Sequence, residues 1–298
     1  IIGTEDASAF NTRGIYRYPL VAAREEKKAE DFYCSAYDVT SEVPLIILKT
    51  RPYVSGMFAW TGFDYIGEPT PYTWPARSSQ FGIVDLCGFP KDTYYLYKSQ
   101  WTDAPMVHIV PGNWNWHEGM TVPVWVYTNC DSVELFLNGK SLGEKAMNER
   151  SDTLHLAWEV PYEPGELKAV ARKNGEVSAS TAVRTAKFPY RIEMKSDSAD
   201  AGRNDIVYLA TSIHDVDGTI VPVADNLVKF TVEGPGRIIG VDNGNPISHE
   251  PFIDEQVHAF NGYCLAVMQC TSDAGTIKVR ATSAGLKASE VTVRAVTP

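Results

Sequence analysis

The sequence predicts a mainly β chain: two immunoglobulin-like β-sandwich domains behind a mixed segment of strands, helices and aromatic loops. Three observations predict it. Asn138-Gly139 and Asn174-Gly175 each join two apolar-rich runs, and both residue types suit the left-handed torsions of a two-residue hairpin turn. From about Met106 onward, strand-length runs recur with turn residues between them, as in a sandwich. Before that point, charged and aromatic stretches with helical spacing interrupt the strands.

The opening run, Ile1-Ile2-Gly3-Thr4-Glu5, reads as a buried strand ending in a carboxylate. Parallel-barrel enzymes place catalytic groups where inner strands end, so Glu5 is a catalytic candidate; the plainer alternative is a surface or helix-terminal glutamate. Ala22 to Ala36 carries Arg24-Glu25-Glu26-Lys27-Lys28 and reads as charged and partly helical. Pro44 to Thr50 fits a short helix with proline in its first turn or a buried strand, and periodicity does not separate them. Val54 to Trp60 reads as a buried strand, followed by a loop from Thr61 to Phe89. Lys91 to Trp101 spaces its apolar residues along one helix face.

Pro123 to Thr128 and Ser132 to Leu137 read as strands, as do Leu167 to Lys173 and Glu176 to Val183 around the second Asn-Gly. A third unit starts near Pro189-Tyr190. Its strands are Ile206 to His214, Leu227 to Val232, Tyr263 to Cys270, Thr276 to Ala281 and Ala288 to Val293. The expected domains are residues 1–105, 106–187 and 188–298.

A chain of 298 residues, 44% hydrophobic and 21% charged, can bury a large core. Its net charge of −10, with no basic run, argues against nucleic acid and anionic membrane as partners. No apolar run approaches a membrane-spanning length. Five cysteines do not make a disulfide framework. Cys264 and Cys270 share one strand, about 20 Å apart, too far to bridge. The six histidines are scattered without metal-ligand spacing, so no metal is expected. Asp242-Asn243-Gly244 reads as a turn before it reads as an ion or sugar site. Trp114 and Trp116 read as interdomain packing before a sugar platform.

Sugars bind on aromatic faces while carboxylates fix their hydroxyls. Trp60, at a strand end, precedes a glycine-punctuated loop with Asp64, Tyr65 and Glu68; the alternative is a core tryptophan beside a solvated acidic loop. Several long strings carry a resemblance: Arg51 through Gly56, Gly67 through Pro71, Ser79 through Asp85, Gly88 through Asp92, Trp114 through Trp116 and Val133 through Gly143. On these the chain resembles the C-terminal portion of family 2 glycoside hydrolases, the bacterial β-galactosidase-like group. Residues 15–50 and the last domain match least distinctively.

The resemblance implies that residues 1–105 are the C-terminal part of a (β/α)8 barrel. It implies Glu5 as nucleophile, Trp60 lining the sugar subsite and Asp64 contacting substrate. A retaining glycosidase needs a second carboxyl group about 5–5.5 Å from the first. The family's acid/base glutamate follows an asparagine on an earlier barrel strand; Asn148-Glu149 lies between sandwich strands and reads as a chance match. The acid/base is therefore expected outside this chain, in a missing N-terminal part of the same protein. The implied substrate is an oligosaccharide or polysaccharide with a non-reducing-end β-galactoside, no cofactor is implied, and the fragment alone is expected to be inactive. The alternatives are a β-glucuronidase or other family 2 specificity, and a non-catalytic carbohydrate-binding module formed by residues 106–298. A periplasmic or extracellular setting is favoured over the cytoplasm.

Overall fold

The computed structural model describes residues 1–7, 9–16, 41–147 and 153–297. The chain divides into two units, Ile1–Thr185 and Ala186–Pro298. The charged stretch Ala22 to Ala36 and the pair Asn148-Glu149 lie outside the described residues.

The first unit opens with β1 (Ile2–Asp6), α1 (Glu42–Thr50), β2 (Gly56–Ala59) and α2 (Asp92–Trp101). β1 and β2 pair in parallel, Ile2 opposite Gly56 and Asp6 opposite Ala59. Pro44 to Thr50 is thus helical, with Pro44 in the first turn, where a missing N–H leaves no intrahelical bond unmade. Both opening strands were expected to be buried, and that is corrected. Ile2 is 55% exposed and Phe58 65%, and β2 is shorter than the run from Val54 to Trp60. An apolar run states a preference for burial; cover needs a layer on each face. Met57 and Ala59 pack toward a cluster containing Leu45, Leu96 and Tyr97 from the two helices, whereas Phe58, pointing to the opposite face, stays open.

The remainder of this unit is an antiparallel sandwich of β3 (Val107–Val110), β4 (Thr121–Thr128), β5 (Ser132–Leu137), β6 (Lys140–Ala146), β7 (Leu156–Pro161), β8 (Glu166–Lys173) and β9 (Glu176–Arg184). One sheet runs β3-β4-β7 and the other β6-β5-β8-β9. Both Asn-Gly turns are as expected: φ is 50° and 81° at Asn138-Gly139, and 55° and 81° at Asn174-Gly175. From Val122 to Thr128, β4 is buried at every residue because both its faces are covered. Val122, Val124 and Val126 enter the sandwich core with Leu135, Leu167 and Trp158. Trp125 and Tyr127 point the other way, into the helix cluster. Trp114, expected between domains, belongs to the sandwich core instead. Its indole N–H donates to the Glu163 carbonyl at 2.9 Å, which lets the whole ring be buried.

Two carboxylates at helix starts fasten α1 and α2 to the sandwich. Glu42 lies 2.6 Å from His155 Nδ1 and accepts from the Leu154 N–H at 3.0 Å. Asp92 lies 2.6 Å from His108 Nε2 and accepts from the Tyr16 hydroxyl at 2.7 Å.

The second unit contains β10 (Arg191–Ser196), β11 (Asp200–Ala201), β12 (Ile206–His214), β13 (Leu227–Glu233), β14 (Gly236–Asp242), β15 (Gln256–His258), β16 (Tyr263–Cys270), β17 (Gly275–Thr282) and β18 (Ser289–Ala295). Its sheets run β10-β12-β16-β14 and β11-β18-β17-β13-β15. Leu209, Ile213, Phe230, Met268 and Ile277 fill the space between them. Cys264 and Cys270 both lie on β16. Asn243 follows β14 in a turn: its side-chain NH₂ donates to the His258 carbonyl at 2.9 Å, and its Oδ1 accepts from the Asn245 N–H at 2.9 Å.

Candidate active site

Parallel pairing brings the ends of β1 and β2 side by side, and the Trp60 N–H donates to the Asp6 carbonyl at 2.9 Å. After Trp60 the chain runs out and returns on itself. Asp64 and Val84 share a 3.1 Å backbone bond, Ser79 donates to the Tyr65 carbonyl at 2.8 Å, and Gly67 to the Arg77 carbonyl at 3.0 Å. Close approach demands glycine at position 82, where a Cβ would meet the Asp64 backbone nitrogen at 2.2 Å.

Two buried ion pairs hold this loop. Asp64, 5% exposed, takes Lys91 Nζ on Oδ2 at 2.7 Å and the Gly82 N–H on Oδ1 at 2.8 Å. Lys91 Nζ also donates to the carbonyl of Asn11, in the segment after β1, at 2.9 Å. From that same segment Arg13 Nε reaches Asp85 Oδ2 at 2.5 Å. Asp85 Oδ1 in turn accepts from the N–H groups of Cys87 and Phe89. Burial pushes the Asp64 carboxyl up to about 6, against the opposing pull of Lys91.

At the rim Trp60 and Glu68 are exposed and Tyr65 is half-buried. Trp60 Nε1 donates to the Tyr65 hydroxyl at 3.2 Å, and that hydroxyl donates to Glu68 Oε2 at 2.5 Å. The two rings meet edge to face, 6.2 Å between centroids at 90°. The Tyr65 phenol is pushed up by desolvation, then by its bond to Glu68, with a smaller contribution from the charge of Glu5. Glu5 is therefore an electrostatic neighbour of this trio. Its own carboxylate is exposed and carries no hydrogen bond or ion pair among the described residues. Asp6, the next residue, acts on Tyr97 of α2, consistent with alternate side chains facing opposite ways.

Of the residues singled out in the sequence, Glu5 and Trp60 stand at adjacent strand ends. Asp64 does not join them at the surface: it is buried, and both its oxygens are engaged within the chain. Tyr65 and Glu68 stand out in the sequence only as polar members of a glycine-rich loop. The partners Arg13–Asp85 and Lys91–Asp64 are 72 and 27 positions apart, beyond any local pattern. Among the described residues no group of three or more His, Cys, Asp or Glu is placed to hold a metal ion, and no helix is long and apolar enough to cross a membrane.

An exposed carboxylate without a partner among the described residues, at the strand end next to the one that delivers Trp60, has the chemistry of a nucleophile. Comparison with known proteins identifies the family. A family model for glycoside hydrolase family 2 C-terminal domain 5 matches residues 191–292, and a model for a domain of unknown function matches residues 119–179. The β-galactosidase BoGH2A of Bacteroides ovatus is 47% identical over 301 residues, covering 95% of this chain and 35% of that protein. A putative β-glucuronidase of Formosa agariphila is 34% identical over 258 residues, covering 82% of the chain and 25% of the relative. The crystal structure of a β-glycosidase from Bacteroides vulgatus shares the fold with a TM-score of 0.86 at 31% identity, over 98% of this chain and 41% of that one. The chain thus spans about a third or less of the length of these curated relatives.

Proposed function

Because the chain belongs to glycoside hydrolase family 2, we propose that it carries the C-terminal part of a retaining β-galactosidase. Residues 1–105 then supply the last two strand–helix units of a (β/α)8 barrel, and the two sandwiches follow. The observation that carries this reading is the pairing of β1 with β2, which sets Glu5 and Trp60 at neighbouring strand ends. The inside–outside pattern supports it, with Met57 and Ala59 turned to the helices and Phe58 open on the other face.

In this reading Trp60 stacks on the C–H face of a non-reducing-end galactoside, and Glu5 attacks the anomeric carbon. The glycosidic bond breaks as a second carboxylic acid protonates the departing oxygen. Water then hydrolyses the glycosyl-enzyme, with that second group acting as base. In this reading the second carboxyl lies on another part of the longer protein, and the site is shared with that part. Asp64 acts indirectly, by fixing the loop through Lys91. The chemistry calls for no cofactor, since protonation and covalent catalysis suffice.

The test is turnover of 4-nitrophenyl β-galactoside by the longer protein bearing this chain. Glu5→Gln is expected to lower kcat on the order of 10³-fold or more, while residues 1–298 alone give no turnover. Full activity in Glu5→Gln sinks the nucleophile assignment. Turnover by the 298-residue chain, abolished by Glu5→Gln, sinks the shared site. The Formosa relative supports a second reading, β-glucuronidase specificity, which a higher kcat/KM on 4-nitrophenyl β-glucuronide would select.

A further inference from the structure

Between Trp60 and Phe89 the chain has three carboxylates: Asp64, Glu68 and Asp85. Asp64 and Asp85 are buried against Lys91 and Arg13, so neither can meet a ligand. Glu68 is exposed. Its Oε2 accepts from Tyr65, while Oε1 has no hydrogen-bond partner among the described residues. Its backbone is fixed by Gly67, at φ 107° and bonded to the Arg77 carbonyl, and by the Tyr72 N–H bond to the Pro69 carbonyl. Trp60, Tyr65 and Glu68 therefore form one hydrogen-bonded line, in which Tyr65 fixes the indole edge and the carboxylate together.

We propose that Glu68 and Tyr65 form a hydroxyl-binding subsite for a neutral glycoside seated on Trp60, with Glu68 Oε1 accepting from a sugar hydroxyl and Tyr65 as the positioning residue. The proposal rests on the glycosidase reading above and adds to it the group that orients the substrate. A carboxylate demands a donor, and sugar hydroxyls supply one in a charge-assisted bond. A uronate brings a like charge toward Glu68 and Glu5, so the same line discriminates against acidic sugars.

The longer protein is assayed with 4-nitrophenyl β-galactoside, its monodeoxy derivatives and 4-nitrophenyl β-glucuronide. Glu68→Gln is expected to raise KM for the galactoside about tenfold with kcat within about twofold, and Tyr65→Phe to raise it about threefold. One monodeoxy galactoside loses about tenfold in kcat/KM with the wild type and nothing further with Glu68→Gln. The preference for galactoside over glucuronide narrows in the same variant. Both positions are at the surface, and unchanged thermal midpoints confirm folding. KM within twofold of wild type in both variants overturns the subsite, as does a loss confined to kcat. Glu5→Gln separates the two claims: its inactivity beside an unaffected Glu68→Gln removes only the subsite, whereas a fully active Glu5→Gln, or a wild type inert on the galactoside, removes the glycosidase reading beneath it.

Discussion

Two buried aspartates, one in each unit, answer burial in opposite ways. Asp64 accepts one backbone N–H and one lysine, and its carboxyl is pushed up to about 6 by burial. Asp215, also out of contact with solvent in the second unit but less deeply packed, feels burial too. It nonetheless lies below the ordinary range, because the N–H groups of Lys187, Asp217 and Thr219 converge on its two oxygens. Two things differ: the depth of packing, greater around Asp64, and the count of fixed dipoles, greater around Asp215. A turn that wraps its own carboxylate stabilises the charge locally, whereas a long loop recruiting a distant lysine must desolvate both partners. The first arrangement punctuates a sandwich; the second ties together the segments that follow β1 and β2.

The largest effect should come from breaking the loop pair. Lys91→Met leaves Asp64 buried without its cation and is expected to cost about 3–5 kcal/mol by chemical denaturation; a cost below that of a surface pair would show that the pair does not hold the loop. Next comes the pH response of the same aspartate. Folded Asp64 keeps its proton up to about 6, while the unfolded chain releases it near 3.8. Between those values the folded state binds more protons, so its stability falls as pH rises. The loss relative to Asp64→Asn should reach about 3 kcal/mol. Asp215 must run the other way, contributing stability above the ordinary aspartate value and losing it as pH falls. A rise in both, or a fall in both, across acid denaturation series of the two Asn variants would erase the contrast.

Asp215→Asn at neutral pH should cost about 1–3 kcal/mol, since its amide oxygen can serve only some of the three donors. The smallest effect belongs to the second unit's surface pairs. Arg203, 2.9 Å from Asp273 with both side chains largely exposed, should lose at most about 1 kcal/mol on truncation to alanine, and less in high salt.

Local chemistry made much of the fold legible. Asn138-Gly139 and Asn174-Gly175 announce their turns because φ above zero is a property of the residues themselves. β12 and β16 are bounded in the structure as the sequence suggests, by alternating or continuous apolar runs between turn residues. β10 carries Arg191, Glu193 and Lys195 on its exposed alternation, and β14 begins at a glycine and bulges before Gly240; both escape a search for apolar runs. The burial expected of β1 and β2 failed because hydrophobicity cannot say which layer lies opposite. The site divided in the same way. Glu5 and Trp60 are readable as strand ends, but the burial of Asp64 depends on Lys91, which only the folded loop brings near.

The two-sided burial of β4 bears on how such a chain can change through evolution. Its Trp125 and Tyr127 complete a core with Leu45, Leu96 and Tyr97, so that sandwich cannot be exchanged between homologous genes without its helices. Recombination at position 105 would strand an apolar sheet face in water. A crossover near Ala186, where the second unit begins with its own core, would leave uncut the core that β4 shares with the helices. Such a crossover would keep the segment bearing Glu5 with the helices and sandwich it is built on.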